Sequence, residues 1–123
     1  MSHTITVAEG NEYILLAVDG IVNRSTAMRY NLEAAALGKK LGIRRFLVDF
    51  SAARNTDTVL DQYNFAYKDM PQAEHLDRVA RVAVLVAEND HSHDFVETLL
   101  QNAGFNVRLF NQKDLALNYL LHP

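Results

Sequence analysis

Polar side chains that could bind a ligand or react follow directly on one apolar segment of the chain. Residues 46–50 read Phe-Leu-Val-Asp-Phe, which is typical of a buried strand. The polar set is Asp49, Ser51, Asn55, Thr56, Asp57 and Thr58. Open α/β folds bind ligands outside the carboxyl ends of their parallel strands, so the pattern predicts a partner surface or ligand pocket here. A helix start would also favour an anion such as phosphate, although Thr56 as a helix cap and Asp57 as a partner of the helix dipole explain the same residues.

Histidines supply a second group of candidates, in the polar segment 88–93. His91 and His93 could contribute two metal ligands, with Glu88 or Asp90 as a third. No fourth ligand has a recognisable spacing, and we therefore expect no metal site. Acid–base use of His91 or His93 is the other chemical reading, because imidazole titrates near neutral pH. A structural reading makes Ser92 or Asp94 the cap of the next helix.

Basic residues form two groups. Arg24 and Arg54 would share one sheet edge with the polar segment after residue 49, where they could face an anion. The other group is Lys39, Lys40, Arg44 and Arg45, at the opposite end of the sheet. A helix ends and a strand begins there, so solvated chain ends explain these four cations most simply, and an anionic partner is the alternative.

The elements that position these residues follow from hydrophobic periodicity. Apolar or alternating runs predict five strands, at 4–7, 13–18, 46–50, 82–87 and 105–110. Cap residues and apolar stripes predict four helices between and after them. Asn23 or Ser25 can cap the start of the first, and Gly42 and Pro71 mark two of the helix ends. The order is β-β-α-β-α-β-α-β-α. We therefore predict one α/β domain over residues 1–123, with a single-layer, mostly parallel five-stranded sheet, an antiparallel N-terminal edge strand and about four helices.

The second predicted helix carries an aromatic residue away from its apolar stripe. That stripe contains Val59, Tyr63, Ala66 and Met70, whereas Phe65 falls on the side of polar residues. A large aromatic side chain on a polar face often marks a contact site, and we therefore add Phe65 and Tyr67 to the candidate binding residues. The alternative is that residues 71–79 fold back and cover Phe65.

The composition and net charge of the chain limit the classes of partner and site that it can have. The 123 residues carry a net charge of −3 and no cysteine, which argues against nucleic acid and excludes disulfides and thiolate sites. The chain start shows no secretory signal and no apolar run is long enough for a membrane span, so we expect a cytoplasmic protein. Glycine-rich phosphate loops, serine elbows and zinc-helix motifs are absent from the sequence, and we expect no cofactor.

Three short segments carry a resemblance to a known family. They are Leu-Val-Asp-Phe-Ser at 47–51, Ser-His-Asp-Phe at 92–95, and Ala-Gly at 103–104 followed by Val-Arg-Leu-Phe at 107–110. With the element order, they resemble the STAS domain of anti-sigma-factor antagonists, and more closely its SpoIIAA-like group. The resemblance implies a regulatory or binding role. The family's phosphorylatable Asp-Ser-Ser-Gly-type motif corresponds to Asn-Thr-Asp-Thr at 55–58, where Thr56 and Thr58 are the hydroxyl groups left as acceptors. The group's relation to CRAL-TRIO lipid-transfer domains also implies an apolar ligand.

Three functional hypotheses follow. The first is a non-enzymatic STAS-like regulatory domain that binds a protein partner through residues 49–58 and the helix at 59–70. The second is a carrier of a small apolar or lipid-like ligand. The third is an enzyme that uses His91 or His93 with Asp49 or Asp90. The alternating edge strand at 105–110 also leaves a homodimer open.

Overall fold

The computed structural model describes residues 2–73 and 76–122, and its centre is one five-stranded sheet. The strands lie in the order β1-β2-β3-β4-β5. β1 pairs antiparallel with β2, and every other neighbouring pair is parallel, which confirms the predicted fold class. The strand bounds are β1 Ser2–Val7, β2 Ile14–Val22, β3 Arg45–Asn55, β4 Arg81–Val86 and β5 Asn106–Phe110.

Four helical segments connect and follow the strands, as predicted. The second is continuous but changes its winding, from α-helix to π-helix and back. Within residues 2–73 and 76–122, no helix combines the length and the apolar character that crossing a bilayer requires. The segments are α1 Arg24–Leu41; α2, made of Val59–Asn64, the π-helical Phe65–Asp69 and Met70–Gln72; α3 Asp94–Asn102; and α4 Lys113–Leu121.

Both ends of α1 follow from local sequence. The Asn23 side chain accepts a hydrogen bond from the Thr26 backbone N–H, and the Thr26 hydroxyl accepts one from the Asn23 N–H. This reciprocal cap satisfies two backbone donors that a helix start leaves free. At the other end Gly42 takes the left-handed conformation (φ 69°) and donates its N–H to the Gly38 carbonyl. Of the two predicted caps, Asn23 and Ser25, the structure uses Asn23.

The third strand is longer than its apolar run predicts. β3 continues through Asn55 because β2 runs on to Val22 and supplies backbone partners, after a register irregularity between Ala17 and Asp19. Ser51 and Asn55 therefore lie in a strand, and the prediction of a loop after residue 50 is wrong. Polar side chains are compatible with a strand there because β-pairing uses only backbone groups.

The two faces of the sheet carry different helices. Val48 and Val84 belong to a core that also contains Phe65 of α2 and Leu100 of α3. The opposite face is smaller, where Leu47 and Ala83 pack with Ala116 and Leu120 of α4. Because successive strand residues point to opposite faces, neighbouring positions of β3 take part in different cores.

Two aromatic residues of α2 lie on the faces opposite to those predicted. Phe65 is only 6% exposed and belongs to the main core, whereas Val59 is 67% exposed and Tyr63 48%. The expectation that Phe65 lies on a polar face is therefore wrong. The buried stripe of α2 is formed instead by Gln62, Phe65 and Ala66, at helical spacings of three and four residues. Beyond that stripe, the Met70 N–H donates to the Phe65 carbonyl five residues back, which is the hydrogen bond of a π-turn.

Candidate functional site

The strand-end residues predicted as one site are divided by the sheet. Asp49 lies on the face of Leu47, and its Oδ1 accepts hydrogen bonds from the Ser51 backbone N–H (2.9 Å) and hydroxyl (2.6 Å). Ala53 packs in the core on the other face, and Asn55, two residues on, borders that same side. Asp49 and Ser51 thus form a local pair that is separated from residues 55–58.

Residues 55–58 form a hydrogen-bonded turn between β3 and α2. The Asn55 side chain accepts from the Asp57 N–H (2.9 Å), and the Asn55 N–H donates to the Ser92 hydroxyl (3.0 Å). The Thr58 hydroxyl accepts from the Asp61 N–H (3.1 Å) and so caps α2. The prediction of Thr56 as the cap is wrong, because α2 begins at Val59. The side chain of Thr56 is exposed.

Arg24 lies beside this turn among three carboxylates. Its guanidinium donates to Asp69 through Nε (2.5 Å) and Nη2 (2.9 Å), and its Nη1 is 3.9 Å from Asp61. The hydrogen bonds from Arg24 lower the pKa of Asp69. Partial burial raises the pKa of Asp57, and Asp61 adds to that rise, although the backbone N–H and charge of Arg24 oppose it. Arg24 is thus occupied by protein carboxylates and is a poor receptor for an external anion.

The two histidines of segment 88–93 occupy opposite environments. His93 is 2% exposed, stacks on Phe50 at a centroid distance of 5.1 Å, and places its Nε2 3.2 Å from the Ala53 carbonyl oxygen. Its Nε2 is also 3.5 Å from Asp90 Oδ2. The His91 side chain is 80% exposed and contacts Asp94 at 3.0 Å. The two rings therefore do not converge, and no group of three or more His, Asp or Glu side chains in the described part of the chain is arranged to hold a metal ion.

Asp90 contacts Ser92 and His93 of the same segment and lies near Arg54. Its Oδ1 accepts from the Ser92 N–H and lies 3.7 Å from Arg54 Nη1. Burial alone would raise the pKa of Asp90, but the Ser92 hydrogen bonds and nearby His93 and Arg54 outweigh it and leave the pKa below its usual range. Ser92 caps no helix, since its hydroxyl accepts from Asn55 instead. Arg54, which the sequence offers as a contact for an external anion, thus lies beside a carboxylate of the protein.

A cavity of 530 Å³ lies between the sheet and helices α1, α2 and α3. Its walls are mainly apolar. The sheet contributes Leu16, Val48 and Val84, and the helices contribute Ala35 and Phe65. Protein interiors normally contain few voids larger than a water molecule, whereas ligand sites of small molecules occupy roughly 300–1,000 Å³. The cavity therefore has the size and character of a binding site for an apolar molecule.

The two ends of the cavity differ in exposure. Every exposed residue among its lining lies where β3, β4 and β5 begin. These residues are Lys39, Gly42, Arg44, Asp77 and Asn106. The lining at the opposite end consists of the half-buried Asn55 and Asp57 and the buried His93. The lining is thus most exposed at the strand-start edge, which we call the mouth of the cavity.

Sequence reasoning missed most of this cavity. Among the predicted site residues, Asn55, Asp57, Phe65 and His93 line it, but all four were chosen for other reasons. Tyr67 packs against the core and contacts Tyr63 at a ring distance of 4.7 Å. A row of small residues at Ala27, Ala34, Ala35 and Gly38 on α1 is the one sequence signal that could have indicated space beside the sheet.

Comparison with models of protein families and with curated proteins found no match to this chain. The resemblance to the STAS domain therefore stays a prediction that rests on the quoted residues. The fold class and the cavity stand independently of it, because both are read from the arrangement of the chain itself.

Proposed function

We propose that this protein binds and carries a small apolar molecule in the cavity beneath α1, α2 and α3. The observation that carries the proposal is the cavity of 530 Å³ with apolar walls. An apolar molecule bound there would bring its atoms into contact with the apolar lining, and these contacts would gain dispersion energy. The resemblance to a group related to lipid-transfer domains supports the same function.

Two neighbouring alanines of α1 provide a direct test. Ala35 lines the cavity, whereas Ala36 is exposed on the same helix and does not line it. Ala35→Phe would place a benzyl group in the cavity, and Ala36→Phe is the matched control. The measurement is native mass spectrometry of protein purified without refolding, together with titration of the neutral apolar dye N-phenylnaphthylamine.

The expected result is a bound small molecule or saturable dye binding in the wild type and in Ala36→Phe, with at least about a tenfold loss of affinity in Ala35→Phe, because the site is filled. A ligand-free mass combined with no dye binding would overturn the proposal. Equal dye binding by both variants would place the dye outside the cavity and would also overturn it.

Recognition of a protein partner is the second candidate, and the exposed apolar residues of α2 favour it. Val59 and Leu60 are each 67% exposed, and α3, which packs beside α2, adds Phe95 at 42%. Exposed apolar groups that lie together often mark interaction sites. This is the surface that the sequence predicted at residues 49–70, although Val59, Leu60 and Tyr63 replace Phe65 as its apolar contacts.

The proposed switch on this surface is a modification of Thr56 or Thr58. Thr56 shares an open cleft with Arg24 and with three carboxylates, those of Asp57, Asp61 and Asp69. The carboxylates outnumber the guanidinium, so a phosphate on Thr56 would meet net negative charge there.

A photo-crosslinking residue at Leu60, compared with one at the exposed Leu115 of α4, tests the surface. A product formed only from position 60 is expected, and identical products from both positions would exclude a specific surface on α2.

A further inference from the structure

Cations outnumber carboxylates at the mouth of the cavity, whereas the walls are mainly apolar. Among its exposed lining residues, Lys39 and Arg44 are cations and Asp77 is the one carboxylate, which leaves a local charge of +1 on a chain of net charge −3. Lys40 and Arg45 are exposed in the chain next to them. An opening of this kind attracts a negatively charged group, because charges at the rim of an apolar site focus the local field.

The two cations at the mouth are not equally available. Arg44 Nε donates to Asp77 Oδ2 at 2.5 Å, and this hydrogen bond lowers the pKa of Asp77 and raises the pKa of Arg44. No carboxylate in the described ranges forms an ion pair with Lys39. Among the residues that the structure describes, Lys39 is therefore the cation at the opening whose ammonium group can meet a ligand without breaking an ion pair.

The strand-end side of the cavity offers little to a charged head group, because its polar groups already have partners. His93 Nε2 contacts the Ala53 carbonyl oxygen, and the Asn55 side chain accepts from the Asp57 N–H. Glu97, which also lines the cavity, accepts from the Leu109 N–H at 2.7 Å. A polar head group buried there would displace these partners, and burying it without hydrogen bonds is unfavourable.

We infer that the ligand is a single-chain anionic amphiphile, such as a long-chain carboxylate, whose head group lies at Lys39 and whose chain fills the apolar cavity. This inference rests on the proposed function and specifies its ligand. The charged head stays at the opening, where water and the ammonium group solvate it. The hydrocarbon chain passes between the sheet and α1, where it replaces water against apolar walls.

Three probes with the same number of carbon atoms separate the contribution of the head group to the affinity from that of the hydrocarbon tail. Dodecanoate, dodecanol and dodecylamine carry a negative, a neutral and a positive head at neutral pH. Their affinities are measured by isothermal titration calorimetry on the wild type, Lys39→Ala and Lys40→Ala. Lys40 is the matched control, because it is exposed in the same helix turn and does not line the cavity. Thermal melts of the three proteins check that the fold is retained.

Dodecanoate should bind the wild type about three- to tenfold more tightly than dodecanol, with dodecylamine weakest, as one charge-assisted contact predicts. Lys39→Ala should remove that preference and leave dodecanol affinity unchanged, while Lys40→Ala changes neither. Equal binding of dodecanoate and dodecanol, or an equal loss of both in Lys39→Ala, would overturn the head-group assignment and leave the carrier function standing. A failure of all three probes to bind would overturn both.

Discussion

Arg24 and Asp69, which lie 45 residues apart in the chain, form a two-point ion pair that joins the start of α1 to the π-helical part of α2. The planar guanidinium donates through Nε and Nη2 to the two carboxylate oxygens. This bidentate geometry orients both side chains as well as attracting them. Because Phe65 and Met70 of α2 line the cavity, the pair fixes one wall of the proposed ligand site.

Asp69→Asn should lower the melting temperature at neutral pH, because it removes the charge that Arg24 holds. The pKa of Asp69 is lowered in the folded protein, so its stabilisation is present above the unfolded pKa of about 3.9. It is lost as pH falls through the lower folded pKa. The difference in melting temperature between the variant and the wild type should therefore be largest near pH 7 and vanish in strong acid, as followed by circular dichroism.

Asp19→Asn is the control for this prediction, because Asp19 is exposed in β2 and forms no ion pair with the residues that the structure describes. It should leave the pH profile close to that of the wild type. A difference between Asp69→Asn and the wild type that did not change with pH would show that packing, and not charge, makes the contribution of Asp69.

His93→Ala should destabilise the fold by roughly 2–4 kcal/mol, because it removes a buried ring that stacks on Phe50 together with its hydrogen bond. His91→Ala is the control two positions away. Its ring is exposed, so a change within about 0.5 kcal/mol is expected. Urea unfolding followed by circular dichroism gives both values. Similar values for the two variants would contradict the different environments described for these histidines.

Thr58→Ala should cost about 1 kcal/mol, because the Thr58 hydroxyl accepts the hydrogen bond from the Asp61 N–H at the start of α2. Thr56→Ala should change the free energy of unfolding by less than about 0.5 kcal/mol, since the Thr56 side chain is exposed and caps no helix. The comparison uses the same urea titration. The reverse order of the two variants would restore Thr56 as the cap that the sequence indicates.

Gly38→Ala should destabilise the protein although alanine is the better helix former. An added Cβ would lie 2.7 Å from the Ile43 carbonyl oxygen and 2.7 Å from Phe46 Cζ. Helix propensity favours alanine by about 1 kcal/mol, but overpacking costs about 1–3 kcal/mol and a backbone carbonyl cannot move aside easily. Differential scanning calorimetry should therefore show a lower melting temperature.

Ala36→Gly gives the reference for this change, because position 36 is exposed in the same helix. It should lose about 1 kcal/mol from propensity alone. If Gly38→Ala instead raised the melting temperature, the close approach of α1 to the start of β3 would be less tight than the structure indicates.

Local signals in the sequence were sufficient to predict the order of the strands and helices and the positions of several helix ends. Asn23 and Gly42 bound α1 as predicted, because capping depends on residues within a few positions of each other. The apolar runs at residues 13–18, 46–50 and 82–87 fall on β2, β3 and β4, and each run extends at most one residue beyond its strand. Alternation of strands with helices then restricts the sheet to mostly parallel pairing with right-handed crossovers, which is why the fold class could be predicted.

Contacts between distant segments decided the site. β3 extends to Asn55 because β2 pairs with it, and Phe65 lies in the core because α2 packs that side chain against residues of the sheet and of α3. His93 is buried although its segment is polar, since the end of β3 covers it. Hydrophobic periodicity assumes a regular repeat and an isolated element, so it could not reveal any of these three outcomes.

The chain by itself determined which residues prefer strands, helices and caps, because those preferences act through the backbone within a few residues. Only the tertiary structure decided that Lys39, a cation at the end of a helix, lies at the mouth of an apolar cavity. The volume of that cavity depends on how far α1, α2 and α3 stand from the sheet. That distance results from packing between elements, and no single segment of sequence encodes it.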